Sequence, residues 1–217
     1  MAALDSGRIR ELLHKVDAAC AERGIVADVF LVGGGAMALA YDSDRRTRDL
    51  DGIFAPTDEL RSIIADIGES ENLEPDWFND GAKGYIIRED SDAEEIIHTK
   101  HLRVRVASPE YLLAMKLLSA RETDVDDTLK LAKLSGKRSS QELLDVLTSH
   151  YPASMLQVKN RYFVEEIAEV LAQPTDHSSA PIWDQRRSLV DPFDRPWQHG
   201  SPDPGPSSGP QDLGPSY

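Results

Sequence analysis

Phe30-Leu31-Val32-Gly33-Gly34-Gly35-Ala36, followed by Thr47-Arg48-Asp49-Leu50-Asp51-Gly52-Ile53-Phe54, joins a glycine turn to a closely spaced pair of acids. The apolar run Val29 to Val32 reads as a buried strand, and Ala36 to Tyr41 reads as the start of a helix. A helix that opens on glycines offers unsatisfied backbone N–H groups and a partial positive charge to an anion. In Asp49-Leu50-Asp51 the carboxylates are two residues apart, so on a strand both project from one face. Two hard oxygen donors on one face suit Mg2+, with Mn2+ the alternative ion. Neither common glycine fingerprint fits: Gly33-Gly34-Gly35 is not Gly-x-Gly-x-x-Gly, and no Gly-x-x-x-x-Gly-Lys-Ser/Thr occurs. A Rossmann dehydrogenase and a P-loop ATPase are thereby disfavoured.

Upstream of the turn, Ile9, Leu12, Leu13, Val16 and Ala19 recur at helical spacing between Asp5 and Arg23, and Gly24 ends the pattern. Downstream, Thr57 is placed to cap a helix bearing Leu60, Ile63, Ile64 and Ile67. Trp77-Phe78, Gly84 to Ile87, Glu95 to Ile97 and the alternating Leu102 to Ala107 read as short strands that extend one mixed sheet. Ser108-Pro109 starts a helix, because Ser accepts from orphan amides and Pro at the first helical position needs no donor. Further helices run from Asp124 to Leu134, from the capping box Ser139-x-x-Glu142 to Tyr151-Pro152, and over Met155 to Leu171. The expected fold is therefore α+β: a mixed β-sheet flanked by helices over residues 1–135, a C-terminal helical part over 136–173, and a tail over 174–217. Nine of the 13 prolines fall in that tail, which is expected to be disordered because it cannot bury enough apolar surface to offset its ordering entropy. Pro181-Ile182-Trp183 and Pro192-Phe193 to Trp197 are its segments suited to docking.

With 217 residues and 40% apolar content, the chain can bury one good-sized core. Cys20 is the single cysteine and cannot form an internal disulfide, so a reducing cytoplasm is the simplest setting and burial its simplest role. The N-terminus lacks the basic-then-apolar organisation of a signal peptide, and no apolar run is long enough to span a bilayer. The net charge of -14 excludes broad adhesion to nucleic acid or to anionic membrane. A nucleic-acid substrate needs a local basic patch, for which Arg45, Arg46 and Arg48 beside the acids are the candidates.

The turn and the acids resemble the nucleotidyltransferase superfamily, with its DNA polymerase beta-like fold, whose members pair a Gly-Gly turn with a Ser/Thr-x-Asp-x-Asp strand. Within it the chain is most similar to the minimal bacterial nucleotidyltransferases related to abortive-infection and toxin–antitoxin toxins. The similarity extends over Ser108 to Asp127, including Lys116 and Arg121-Glu122-Thr123-Asp124-Val125-Asp126-Asp127. It implies that Asp49 and Asp51 hold the metal, that Asp49, Asp51 and Lys116 are catalytic, and that Gly33, Gly34, Thr47, Lys116, Arg121, Asp124 and Asp127 border the nucleotide. Many relatives carry a small hydroxyl residue after the Gly-Gly, where this chain has Gly35.

The residues themselves qualify those roles. Leu112, Leu113, Met115, Leu117 and Leu118 surround Lys116, so its ammonium is expected to be partly buried and to need an anion, which a triphosphate can supply. Arg121, Asp124 and Asp127 have a structural reading as well, in which Asp124 caps the next helix and Arg121 pairs with either acid. A third carboxylate of the kind many relatives use is not evident, and spacing does not choose among Asp76, Asp80 and Glu95. His98-x-x-His101 lacks partner ligands and reads as a solvated hairpin instead of a zinc pair. The resemblance implies transfer of a nucleoside monophosphate from a nucleoside triphosphate to tRNA or another macromolecular acceptor, with a separately encoded antitoxin protein as partner. The alternative is a catalytically silent nucleotide-binding or protein-interaction module of the same fold.

Overall fold

Five strands form one sheet in a computed structural model that describes residues 3–173. They are β1 (Ala27–Val32), β2 (Leu50–Ala55), β3 (Phe78–Asn79), β4 (Glu94–His98) and β5 (Leu102–Val106), in the spatial order β3-β2-β1-β5-β4. β1 runs antiparallel to β2 and parallel to β5, while β3 is parallel to β2 and β4 antiparallel to β5. The sheet is mixed, as expected. β1 lies at its centre, which explains why its sequence is a nearly unbroken apolar run.

Helix α1 (Ser6–Arg23) starts where the Asp5 carboxylate accepts from the Arg8 amide, and it ends at Gly24, whose φ of 66° closes the last turn. It packs against α3 (Thr57–Ser70), and its buried face holds Cys20. After β1 the chain turns directly into α2 (Gly33–Ala36), which continues as a π-helical turn over Met37–Tyr41. The other face of the sheet receives α4 (Pro109–Ser119), whose Tyr111 packs edge-on against Phe30 with ring centroids 5.8 Å apart. Helices α5 (Val125–Leu134), α6 (Ser140–His150) and α7 (Val158–Ala172) pack on α4, and Leu131, Leu143, Val146, Phe163 and Ile167 join the same core as the sheet. Ser108 caps α4 and the Ser139–Glu142 capping box opens α6, both as the sequence indicates.

Three local expectations are corrected. Gly84 to Ile87 is no strand: Gly81–Tyr85 is a 3-10 helix, entered where the Asn79 side-chain oxygen accepts from the Gly81 amide at 2.8 Å and diverts the backbone into a turn. Thr57 does not cap α3, because Pro56 occupies the cap position and the Thr57 hydroxyl donates to the Phe54 carbonyl at 3.1 Å. Met155 belongs to a separate 3-10 turn, Ala153–Met155, and the last helix begins at Val158. The expected tail disorder and the docking segments at Pro181 to Trp183 and Pro192 to Trp197 lie outside the described residues. Among the described residues, no helix is long and apolar enough to cross a membrane.

Candidate active site

Register places the site. Asp51 on β2 stands opposite Val32 on β1, and Ile53 stands opposite Phe30, so Asp51 projects from the face that α4 covers. Lys116 lies toward the end of α4, and the two side chains line one cavity of about 230 Å³ together with Gly33, Gly34, Arg121 and Asp124. Six of the expected site residues, spread over 92 positions of sequence from Gly33 to Asp124, thus meet around a single space.

The glycine turn owes its sequence to the acids beside it. Gly33 has φ +64°, and a Cβ there would lie 2.9 Å from Oδ2 of Asp51. A Cβ at Gly34 would lie 2.6 Å from the Thr47 hydroxyl, which donates to the Asp49 carbonyl at 3.0 Å and so holds the bend before β2. Gly35 answers a different need. It is buried, and a Cβ there would lie 2.6 Å from Leu50 Cδ2, so the space a hydroxyl residue would occupy is filled by the apolar side chain between the two acids. Asp49 lies one residue before β2, in the bend, instead of on the strand.

Burial pushes the Asp51 carboxyl above its ordinary range, and the nearby Asp49 charge pushes it the same way, against the opposing pull of Asn79, Lys116 and Arg121. Two carboxylates that repel one another in a half-buried place are the donor set a divalent cation relieves. Mg2+ is commonly held by one or two protein carboxylates plus substrate phosphates, so Asp49 and Asp51 fit it. Among the described residues, no three His, Cys, Asp or Glu side chains gather where they could share a metal. Asp80 is paired with Arg61 at 2.7 Å, and Glu95, on β4 at the edge of the sheet farthest from β3, is paired with His98 and with Arg103 of β5. Asp76 is exposed, and its carbonyl accepts from Asn79. The neighbouring-strand position opposite Asp51 belongs to Asn79, an amide.

Lys116 is partly buried, as its apolar surroundings indicate, with 12% of its side chain exposed. Its anions come from the chain itself: Nζ lies 2.5 Å from Asp124 Oδ1 and 3.0 Å from Asp127 Oδ2. The Ser119 hydroxyl also donates to Asp124, at 2.8 Å. Asp124 occupies the cap position of α5 yet makes no side-chain cap bond, because its carboxylate is turned to Lys116. Arg121 pairs with neither acid; it is exposed and lines the cavity. Arg45 is withdrawn from the expected basic patch by an ion pair with Asp127 at 3.1 Å, leaving Arg46 and Arg48 exposed. Asp49, Thr47 and Asp127 are not among the residues that line the cavity. His98 turns to Glu95 and His101 to the Ile25 carbonyl, so they do not form a pair. Sequence reasoning missed Asn79, Tyr85 and Ser119. The apolar Trp77-Phe78 pair marks the strand that ends at Asn79, but Tyr85 had no local signal.

A mixed sheet with a glycine turn at the end of its central strand and an Asp-x-Asp leading into the adjacent one is a nucleotidyltransferase-like core. The family model described as "Nucleotidyltransferase of unknown function (DUF6036)" matches residues 7–170, and the chain belongs to that family. A solved structure, of an antigenic nucleotidyltransferase-like protein from Paracoccidioides brasiliensis, is similar at 20% identity over 68% of this chain and 89% of that one, with a TM-score of 0.41. That likeness is too remote to bear on residue roles. No curated protein of known function matches the chain.

Proposed function

We propose that the chain transfers a nucleoside monophosphate from a nucleoside triphosphate to a macromolecular acceptor, with tRNA as the acceptor and the toxin half of a toxin–antitoxin pair as the biological setting. The observation that carries the chemistry is the shared cavity, where Gly33 and Gly34, the acids Asp51 and Asp124, and the cations Lys116 and Arg121 surround one space. The tRNA and antitoxin parts rest on the resemblance of the glycine turn, the Asp-x-Asp and the Lys116 to Asp127 run to toxin relatives. A cytoplasmic setting accords with the lone buried Cys20.

Asp49 and Asp51 would hold Mg2+ or Mn2+, which when bound neutralises phosphate charge and polarises the phosphoryl group toward an acceptor hydroxyl as pyrophosphate leaves. The backbone at Gly33 and Gly34 approaches the phosphates without a side chain between them. Arg121, which has no carboxylate partner among the described residues, supplies positive charge to the triphosphate, and Lys116, aimed by Asp124 and Asp127, donates its remaining N–H to it. Thr47 keeps Asp49 and the turn in register through its bond to the Asp49 carbonyl.

Purified protein incubated with each labelled nucleoside triphosphate, Mg2+ and total tRNA should label the tRNA, and Asp49→Ala and Asp51→Ala should each abolish the labelling. Labelling that persists in both variants overturns the metal assignment. Growth arrest on expression, relieved by the product of an adjoining reading frame, tests the toxin setting. One observation favours a second reading, a catalytically silent nucleotide-binding module: the strand beside Asp51 presents the amide Asn79 opposite it, and no third acid joins the pair among the described residues. Nucleoside triphosphate binding without transfer to tRNA, protein or small-molecule acceptors selects that reading.

A further inference from the structure

A second cavity of about 400 Å³ opens beside the first and shares Tyr85, Ser119 and Arg121 with it. It lies between the end of α4 and the start of α7, and its shape is fixed from behind. Asn160, 2% exposed, donates to the Leu117 and Leu118 carbonyls at 2.9 and 2.7 Å and accepts from the Gln157 amide at 2.7 Å, fastening one helix end to the other. The Lys159 ammonium spans the same gap to the Ser119 carbonyl at 2.9 Å. Tyr85 is 41% exposed, and its carbonyl accepts from the Tyr151 hydroxyl at 2.9 Å, which holds its backbone at the junction of the two cavities.

The lining is unlike the rest of this surface. In a chain with 38 acidic and 24 basic residues, this cavity is lined by two cations, Arg121 and Lys159, and by no carboxylate. The opening turn of α7, capped by Gln157, adds the positive end of a helix of 15 residues. An aromatic face, two cations and neutral polar groups match a single-stranded nucleotide, whose base stacks on the ring while its phosphate meets the cations.

We infer that this second cavity is the acceptor subsite, binding the terminal nucleotide of a single-stranded polynucleotide end with Tyr85 under the base and Arg121 and Lys159 on its phosphate. The inference rests on reading the first cavity as the nucleoside triphosphate site, because the shared Arg121 and Tyr85 then bring the acceptor end against the bound nucleotide. It also places recognition away from Arg45, which is committed to Asp127.

The test is binding by the full chain of a short fluorescent single-stranded RNA, read by anisotropy, beside binding of a labelled nucleoside triphosphate. Lys159→Glu and Tyr85→Ala should each weaken RNA binding by about tenfold. Lys159→Ala should lower the salt dependence by about one phosphate contact. Lys159→Glu should leave nucleoside triphosphate affinity as it is. RNA that binds equally well to Lys159→Glu and Tyr85→Ala, RNA that does not bind at all, or an acceptor that proves to be a protein or a small molecule overturns the subsite. RNA binding that depends on Lys159 without transfer from any nucleoside triphosphate upholds the subsite and defeats the transferase reading. Transfer to RNA that is indifferent to both variants does the reverse.

Discussion

At Gly33 two demands fall on one atom that glycine lacks. Its φ of +64° costs a residue with a Cβ roughly 1 kcal/mol, and the added carbon would lie 2.9 Å from the Asp51 carboxylate. Gly33→Ala should therefore lower stability by about 1 to 2 kcal/mol and remove nucleoside triphosphate binding, because Asp51 must move to make room. Thermal melting with a binding titration checks this, and a variant that matches wild type in both would show that Asp51 is not held by the turn. Asp51 itself is the counterpart. Its carboxyl is pushed up by burial and by Asp49, so the ionised form that metal binding needs works against the fold. Asp51→Asn should raise the metal-free melting stability by about 1 kcal/mol while abolishing transfer, the usual trade between a functional site and stability. It should also remove any Mg2+-dependent rise in melting temperature. A clear fall in metal-free stability would mean that the carboxylate is structural. Gly33 stands out in the sequence because a triple glycine is a rare local pattern, and Asp51 because its acid pair leads into an apolar strand just after that turn. Asn79 does not, since it meets Asp51 only when β3 pairs with β2, and no neighbour in the chain announces that pairing.

Among the elements, α6 gives the sharpest test of capping. The Glu142 carboxylate accepts from the Arg138 and Ser139 amides and from the Ser139 hydroxyl, and its pKa is held down at about 2 from an ordinary 4.5, chiefly by the Arg138 amide. A carboxylate depressed in the folded state contributes stability that is complete above its unfolded pKa and is lost as pH falls through the folded one. The contribution is thus present above about pH 4.5 and disappears toward pH 2. Glu142→Gln should flatten that part of the acid-unfolding curve and leave the curve's shape near neutral pH alone; an unchanged acid limb would refute the assignment. This capping box, Ser108-Pro109 and Gly24 are legible because each is a contiguous signal read by its own helix end. Gly84 to Ile87 misleads for the opposite reason. Its apolar spacing suits a strand, but the Asn79 side chain starts a turn at Gly81, and Tyr85 and Ile87 remain exposed. Likewise Thr57 is a good cap residue that finds Pro56 already in the cap position.

Across the whole described unit, one carboxylate joins parts that are distant in the chain. Asp127 on α5 takes Lys116 from α4 and Arg45 from the loop that leads to the acids, 82 residues away. Lys116 with Asp124 and Asp127 could be suspected from their closeness in sequence, whereas no local pattern points from Arg45 to Asp127. The two links differ in weight. The Lys116 and Asp127 side chains are 12% and 8% exposed, so their pair is shielded from solvent. Arg45 is 37% exposed, so its share is screened and should be near the surface value of about 0.5 kcal/mol. Asp127→Ala should cost about 2 kcal/mol, less than the roughly 3 kcal/mol of a fully stranded charge, because Lys116 keeps Asp124. A double-mutant cycle with Arg45→Ala should return a coupling of about 0.5 kcal/mol, and one with Lys116→Met a larger coupling. If the loop is positioned through Arg45, then Arg45→Ala should also weaken Mg2+ binding at Asp49 and Asp51 while leaving the melting temperature nearly unchanged. Equal couplings in the two cycles, together with unaltered Mg2+ affinity, would mean that the long-range pair holds nothing in place and that the acids are aligned by the glycine turn and Thr47 alone.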